Sequence, residues 1–224
     1  MLGEGKSLEH LVGIARALLA DRHGAFVSRP TPPQLRALRR LRAGGARAEV
    51  LAGGRLVRLP GPLEVEYRRG VVALVAAGTS DVPVAEEARS LLVALGLRVV
   101  YAYDVGVAGL HRLIRALARL ERAAPETYLV FAGREGALPT VVAGLVRAPV
   151  VGVPTSVGYG RGGRGEAALA AMLQSCAPIA VVNIDAAVPA ALFVAQRFAI
   201  AARSRGSGAS GWAAPARRAR SKAF

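Results

Sequence analysis

Apolar strands alternating with helical segments between residues 71 and 202 constrain this chain more than any other sequence feature. "VVALVAA" (71–77) is continuously apolar, as is typical of a strand buried on both faces of a parallel sheet. We predict strands at 71–77, 97–103, 127–132, 149–154 and 179–184. Helices are predicted at about 84–95, 108–123, 138–146 and 166–175, and a last helix follows the strand at 179–184 and ends near residue 202. Five such units predict an α/β fold with flavodoxin-like strand order and helices on both faces of the sheet.

Two details define the predicted helices more closely. Glu86 and Glu87 are expected in the first turn of their helix, and Gly96 at its C-terminal end. The helix at 108–123 carries a predicted apolar stripe of Leu110, Leu113, Ile114, Leu117 and Leu120.

The two ends of the chain lack this regularity. We expect residues 1–69 to form a small N-terminal α/β appendage and residues 70–202 to form the main domain. Within the appendage we expect helices at 8–20 and 33–42, and short strands near 25–27, 55–59 and 63–67. Residues 203–224 mix Gly, Ser, Pro and Arg without apolar periodicity, which predicts a disordered basic tail.

The net charge of +15 is concentrated outside the predicted main domain, since residues 71–202 carry 11 basic and 9 acidic side chains. Few aromatic residues are available to stack on bases, so we consider nucleic acid an improbable partner. A single cysteine excludes an internal disulfide, and neither a signal peptide nor a membrane-spanning run is recognisable. We therefore expect a cytoplasmic protein.

The loops that follow the predicted strands are the expected place for a functional site. Each carries glycine, a hydroxyl or a carboxylate, and they read "GTSD" (78–81), "DVG" (104–106), "GREGALP" (133–139), "TSVGYGRGGRG" (155–165) and "NID" (183–185). Turns need such residues in any case, but all five loops together favour an anion or nucleotide site. Neither a GxGxxG fingerprint nor a P-loop is present, which argues against ordinary Rossmann and P-loop nucleotide sites.

Glu135 and Cys176 each allow two interpretations. Glu135, in a glycine-flanked loop, is either a catalytic acid or base or a cap for the following helix. Cys176, in "MLQSCAP" (172–178), lies at the C-terminal end of a predicted helix, where the helix dipole disfavours a thiolate. Because free cysteines are usually buried, the local sequence favours a packed, unreactive thiol. The three histidines lack metal-ligand spacing, so we predict no metal site, and we expect His111 on the surface.

Several segments together identify a family resemblance. "AAGTSDVPVAEEA" (76–88), "YDVGVAGLHRL" (103–113), "AGREGALPTVVAGL" (132–145), "VPTSVGYG" (153–160) and "AMLQSCAP" (171–178) resemble the LarB family. Its members are carboxylase/hydrolases of nickel-pincer cofactor biosynthesis, and their core is similar to the class I aminoimidazole ribonucleotide (AIR) carboxylase and mutase.

The resemblance implies an activity and catalytic roles. It implies carboxylation of the pyridinium ring of nicotinic acid adenine dinucleotide (NaAD) and hydrolysis of its phosphoanhydride, which releases AMP and pyridinium-3,5-biscarboxylic acid mononucleotide. Cys176 is then the nucleophile and Glu135 an acid/base carboxylate. The loops and the resemblance together give these predicted substrate-binding residues: Gly78, Thr79, Ser80, Asp81, Asp104, Gly133, Gly136, Ser156, Gly158 and Tyr159.

The resemblance also implies the reaction's other components. CO2 or bicarbonate is the co-substrate, no cofactor is tightly bound, and Mg2+ is a candidate aid to hydrolysis. A homo-oligomer is expected, an octamer by analogy, with active sites that draw on more than one subunit.

This sequence departs from the family pattern at defined places. Arg134 stands where the family usually has methionine, and "AAVPA" (186–190) and "RGGRG" (161–165) are altered. The alternatives are an AIR mutase or carboxylase of purine biosynthesis and a non-catalytic nucleotide-binding relative. Against the first, "YDVGVAG" (103–109) replaces the segment that carries that enzyme's catalytic histidine.

Overall fold

A computed structural model of the chain describes residues 1–22, 24–43, 46–61, 67 and 69–199. The predicted tail at 203–224 lies outside these residues, as does all but Tyr67 of the strand predicted at 63–67. Among the residues that the structure describes, no helix is both long and apolar enough to cross a lipid bilayer.

The N-terminal unit is a small antiparallel sheet with two helices. In chain order its elements are α1 (Leu8–Ala20), β1 (Ala25–Ser28), α2 (Pro32–Leu38), β2 (Arg42–Ala43), β3 (Ala46–Arg47), β4 (Glu49–Leu51) and β5 (Leu56–Leu59). Strands β1, β5 and β4 form one sheet in that order, and β2 pairs with β3. The predicted helix at 33–42 ends earlier, at Leu38, because the chain turns there into the β2–β3 hairpin.

The larger unit alternates strands and helices as predicted. Its elements are β6 (Val71–Ala76), α3 (Val82–Ala94), β7 (Arg98–Ala102), α4 (Leu110–Glu121), β8 (Thr127–Ala132), α5 (Leu138–Leu145), β9 (Val150–Pro154), α6 (Glu166–Leu173), β10 (Ile179–Val181) and α7 (Ala187–Ala195). The five strands pair in parallel in the order β10-β9-β8-β6-β7. This is the flavodoxin-like order, so the predicted fold class is confirmed.

Burial on both faces explains the continuous apolar strands. All six residues of β8 are buried, and separate apolar clusters cover the two sides of the sheet. The stripe predicted on α4 is wider than the face that packs. Leu113, Leu117 and Leu120 are buried, whereas Leu110 and Ile114 are about half exposed.

Helix α3 ends as predicted, but it begins earlier than predicted. Gly96 follows the helix with φ +83°, a conformation that suits glycine. The helix begins at Val82, four residues before Glu86, so Glu86 and Glu87 lie beyond the first turn. Glu87 is instead buried, accepting bonds from Ser28 Oγ at 2.5 Å and Arg55 Nε at 3.2 Å. This carboxylate joins the N-terminal unit to helix α3 of the larger unit.

Substitution of Glu87 should loosen this junction. We expect Glu87→Ala to lower the free energy of unfolding by about 2 kcal/mol, because Ser28 and Arg55 lose a buried acceptor. The exposed Glu166, at the start of α6, is a matched control whose alanine variant should cost about 0.5 kcal/mol. Urea unfolding monitored by circular dichroism measures both, and equal losses would contradict a role for Glu87 at the junction.

Candidate functional site

A cleft of about 530 Å³ opens at the carboxyl ends of the central strands. The loops after β6, β7 and β8 form its walls, with Val157 added from the loop after β9. It lies where the chain order reverses, since β6 is flanked by β7 on one side and β8 on the other. Of the predicted site residues, the cleft is lined by Gly78, Thr79, Ser80, Asp81, Asp104, Gly133 and Glu135.

Asp81 fixes the shape of the cleft. Its buried carboxylate accepts the Gly78 amide N–H at 2.9 Å and the Thr155 hydroxyl at 2.5 Å. Thr155 is fully buried, and its own amide donates to the carbonyl of Ala132 at 3.0 Å. Asp81 therefore ties the loop after β6 to the loop after β9, while Thr79 and Ser80 beside it remain exposed.

The loop after β7 brings an ion pair to the cleft. Arg112 Nη1 donates to the Asp104 carbonyl at 2.9 Å and to its carboxylate at 3.2 Å. Asp104 has φ +58°, a strained conformation that these bonds to Arg112 stabilise. Arg112 was not predicted as a site residue, because nothing in its helical sequence distinguishes it from the other arginines of α4.

Tyr103 anchors this loop to α3. Its hydroxyl donates to Glu86 at 2.6 Å, and Glu86 also accepts from Arg89 at 2.8 Å. Burial raises the pKa of Tyr103, and the bond to Glu86 raises it further. The pKa of Glu86 is lowered, since the bonds from Arg89 and Tyr103 outweigh the desolvation that opposes them.

The turn after β8 presents Glu135 to solvent. Gly133 packs so closely on the loop after β9 that an added Cβ would lie 2.2 Å from the Val157 carbonyl oxygen. Gly136, with φ +65°, packs against Ala168 rather than lining the cleft. The Glu135 side chain is exposed, and among the described residues it has no hydrogen bond or ion pair. No side chain caps α5, so the capping interpretation of Glu135 is wrong.

The loop after β9 adds a second, smaller cleft. Its volume is about 290 Å³, and it is lined by Arg134, Glu135, Tyr159, Gly162 and Ala167. Tyr159 is 79% exposed, and the Arg134 guanidinium lies 5.2 Å from the centre of its ring. Two further predicted residues, Ser156 and Gly158, line neither cleft, although the Ser156 amide donates to Asp185 at 2.9 Å.

Comparison with known proteins defines the family. A family model described as AIR carboxylase matches residues 71–207, which is more than half of the chain. The chain belongs to the AIR carboxylase family. Uncharacterized protein MJ0165 of Methanocaldococcus jannaschii is 50% identical to it over 125 residues, which are 55% of this chain and 48% of that protein. The chain thus spans about half the length of this curated relative.

Two crystal structures from Treponema denticola are similar to the chain. A variant of PurE2 is 24% identical to this chain, with a TM-score of 0.49. The matched region covers 58% of this chain and 79% of the PurE2 variant. PurE is 25% identical to this chain, with a TM-score of 0.48, and the matched region covers 58% of this chain and 80% of PurE. Membership of the AIR carboxylase family rests on the match over 71–207 and not on these similarities.

Cys176 lies apart from the clefts of this AIR carboxylase family member. The residue lies between α6 and β10, so it precedes a strand, whereas the cleft is formed by loops that follow strands. In a parallel sheet these are opposite edges. The thiol is exposed, so the packed interpretation is wrong. The neighbouring Ser175 hydroxyl is bonded to Thr140 at 2.8 Å, which holds the segment on α5.

The tight contact at Gly133 gives a testable prediction. Gly133→Ala should lower the free energy of unfolding by about 2 kcal/mol, because the methyl group forces the loop after β9 to move. Gly144 is the matched control, since a Cβ there meets nothing within 4 Å. Gly144→Ala, near the end of α5, should raise stability by about 0.5 kcal/mol. Thermal unfolding compares the two, and a neutral Gly133→Ala would contradict the close packing.

Proposed function

We propose that this AIR carboxylase family member carboxylates the pyridinium ring of NaAD and hydrolyses its phosphoanhydride, forming pyridinium-3,5-biscarboxylic acid mononucleotide and AMP. The observation that carries the proposal is the Glu135 carboxylate, exposed where the two clefts meet and uncommitted among the described residues. The exposed thiol of Cys176 supplies the required nucleophile.

The chemistry explains why a thiol and a carboxylate are both needed. A pyridinium ring is electron-poor and does not attack CO2. Addition of the Cys176 thiolate to the ring gives an enamine whose C5 is nucleophilic, and C5 forms a bond to CO2. Glu135 then takes the proton from C5, and expulsion of the thiolate restores the aromatic ring. Water attacks the phosphoanhydride in a separate step and releases AMP.

The proposal requires two copies of the chain for each site. Glu135 and Cys176 lie at opposite edges of one sheet, so the thiol that reaches the cleft belongs to a second subunit. An oligomer of this kind agrees with the surface near Cys176. Leu145 and Leu173, the last residues of α5 and α6, are more than half exposed, and a subunit contact would cover them.

The main alternative is an AIR carboxylase or mutase of purine biosynthesis, which the family match favours. This chain fits the purine reaction less well, because the segment "YDVGVAG" (103–109) has no counterpart of that enzyme's catalytic histidine. Of the described histidines, His10 on α1 and His111 on α4 are exposed, and neither lines a cleft. A non-catalytic nucleotide-binding protein is the remaining alternative.

Turnover of NaAD tests the proposal directly. The purified protein is incubated with NaAD, bicarbonate and Mg2+, since Mg2+ is commonly held by carboxylates together with substrate phosphates. Mass spectrometry should detect AMP and the carboxylated mononucleotide. Binding without turnover would favour the non-catalytic alternative, and turnover of carboxyaminoimidazole ribonucleotide instead would favour the purine enzyme.

Single substitutions test the assigned roles. Glu135→Gln and Cys176→Ser should each lower the carboxylation rate by at least about a hundredfold, because each removes a group that acts on the ring. Glu9→Gln, on the exposed face of α1 in the N-terminal unit, removes the same charge away from both clefts and should leave the rate unchanged. Full activity in Cys176→Ala would refute the thiol addition.

Co-expression tests the sharing of the site between subunits. Glu135→Gln and Cys176→Ser chains produced together should regain about a quarter of the wild-type rate, because random assembly pairs an intact thiol with an intact carboxylate in that share of sites. If both groups came from one chain, the mixture would stay inactive, since every subunit carries one defect.

A further inference from the structure

Arg134 stands at the junction of the two clefts and lines both. Its backbone is tightly held, since its amide donates to the Val157 carbonyl at 3.0 Å and its φ is +50°. The side chain is held by Tyr159, whose ring lies 5.2 Å from the guanidinium carbon. This arginine therefore projects from a fixed turn and has a defined position.

The charge of Arg134 is not neutralised by the cleft. Among the charged residues that the structure describes along the larger cleft, Asp104 pairs with Arg112, and Asp81 is bonded to Gly78 and Thr155. Glu135 also lines this cleft, but it forms no ion pair with Arg134. Arg134 has a ring contact but no carboxylate partner among the described residues. It is thus the cation best able to bind an anionic ligand.

Tyr159 adds a surface for a flat ring. The side chain is 79% exposed beside a cleft, with Arg134 over its ring. An exposed aromatic ring next to a guanidinium that has no carboxylate partner matches a ligand that has a planar base and a phosphate. The cleft of about 290 Å³ beside them is open to receive such a base.

We propose that the smaller cleft is a nucleoside monophosphate subsite, in which Tyr159 stacks on the base and Arg134 binds the phosphate. The inference rests on the proposed function, because it assigns the AMP half of the dinucleotide to this cleft. It also accounts for the adjacency of Arg134 and Glu135. A dinucleotide with a cationic ring and anionic phosphates needs a carboxylate beside the ring and a cation beside the phosphates.

Binding of AMP and adenosine to the full-length protein, measured by calorimetry, tests the subsite without requiring turnover. The wild type should bind AMP at least about tenfold more tightly than adenosine, since a charge-assisted bond is added. Arg134→Met should weaken AMP binding about tenfold and leave adenosine unchanged. Tyr159→Leu should weaken both ligands, and Tyr159→Phe, which keeps the ring, should weaken neither.

Arg147→Met is the matched control, because Arg147 is an exposed arginine between α5 and β9, at the opposite edge of the sheet. It should leave AMP binding unchanged. The inference is overturned if the wild type does not bind AMP, if AMP and adenosine bind equally, or if Arg147→Met and Arg134→Met weaken AMP binding alike. A protein that binds AMP as expected but does not turn over NaAD would overturn the proposed function and leave this subsite standing.

Discussion

The paired hydrogen bonds of Asp81 are the interaction on which the rest of the site depends. This one buried carboxylate holds the Gly78 amide and the Thr155 hydroxyl, and so joins the loops after β6 and β9 across the intervening strand β8. The turn after β8, which carries Arg134 and Glu135, is held between those loops by the contact of Gly133 with Val157. A buried carboxylate left without these donors would be costly, so the cleft keeps its form without a ligand.

Sequence patterns predicted the parts of the fold that depend on local order. The apolar strands, their parallel order and the glycine after α3 follow from burial, from connection rules and from the left-handed conformation of Gly96. Contacts between distant residues were not predictable in this way. Glu87 was expected at a helix end but binds Ser28, 59 residues away, and no periodic pattern encodes such a pairing.

The candidate site was predictable only in part, for the same reason. The loops after β6, β7 and β8 were assigned to the site correctly, and Thr79, Ser80 and Glu135 line the larger cleft. The predicted loop at 183–185 lines neither cleft. Arg112 was missed because its role comes from the strained backbone of Asp104, which the sequence does not reveal. The exposure of Cys176 was missed because a helix end can face either the core or the solvent.

The proposed mechanism gives the separation of Cys176 from the cleft a chemical consequence. The thiol is exposed in the turn between α6 and β10, and it lines neither cleft of its own chain. Under the proposal, its reactivity comes from the cleft of another subunit, where a bound pyridinium ring supplies positive charge and Glu135 accepts a proton. A thiol activated only in this way is inert in an isolated chain and reacts only when both the assembly and the substrate are present. Under this mechanism, subunit assembly is a requirement of the chemistry and not only of stability.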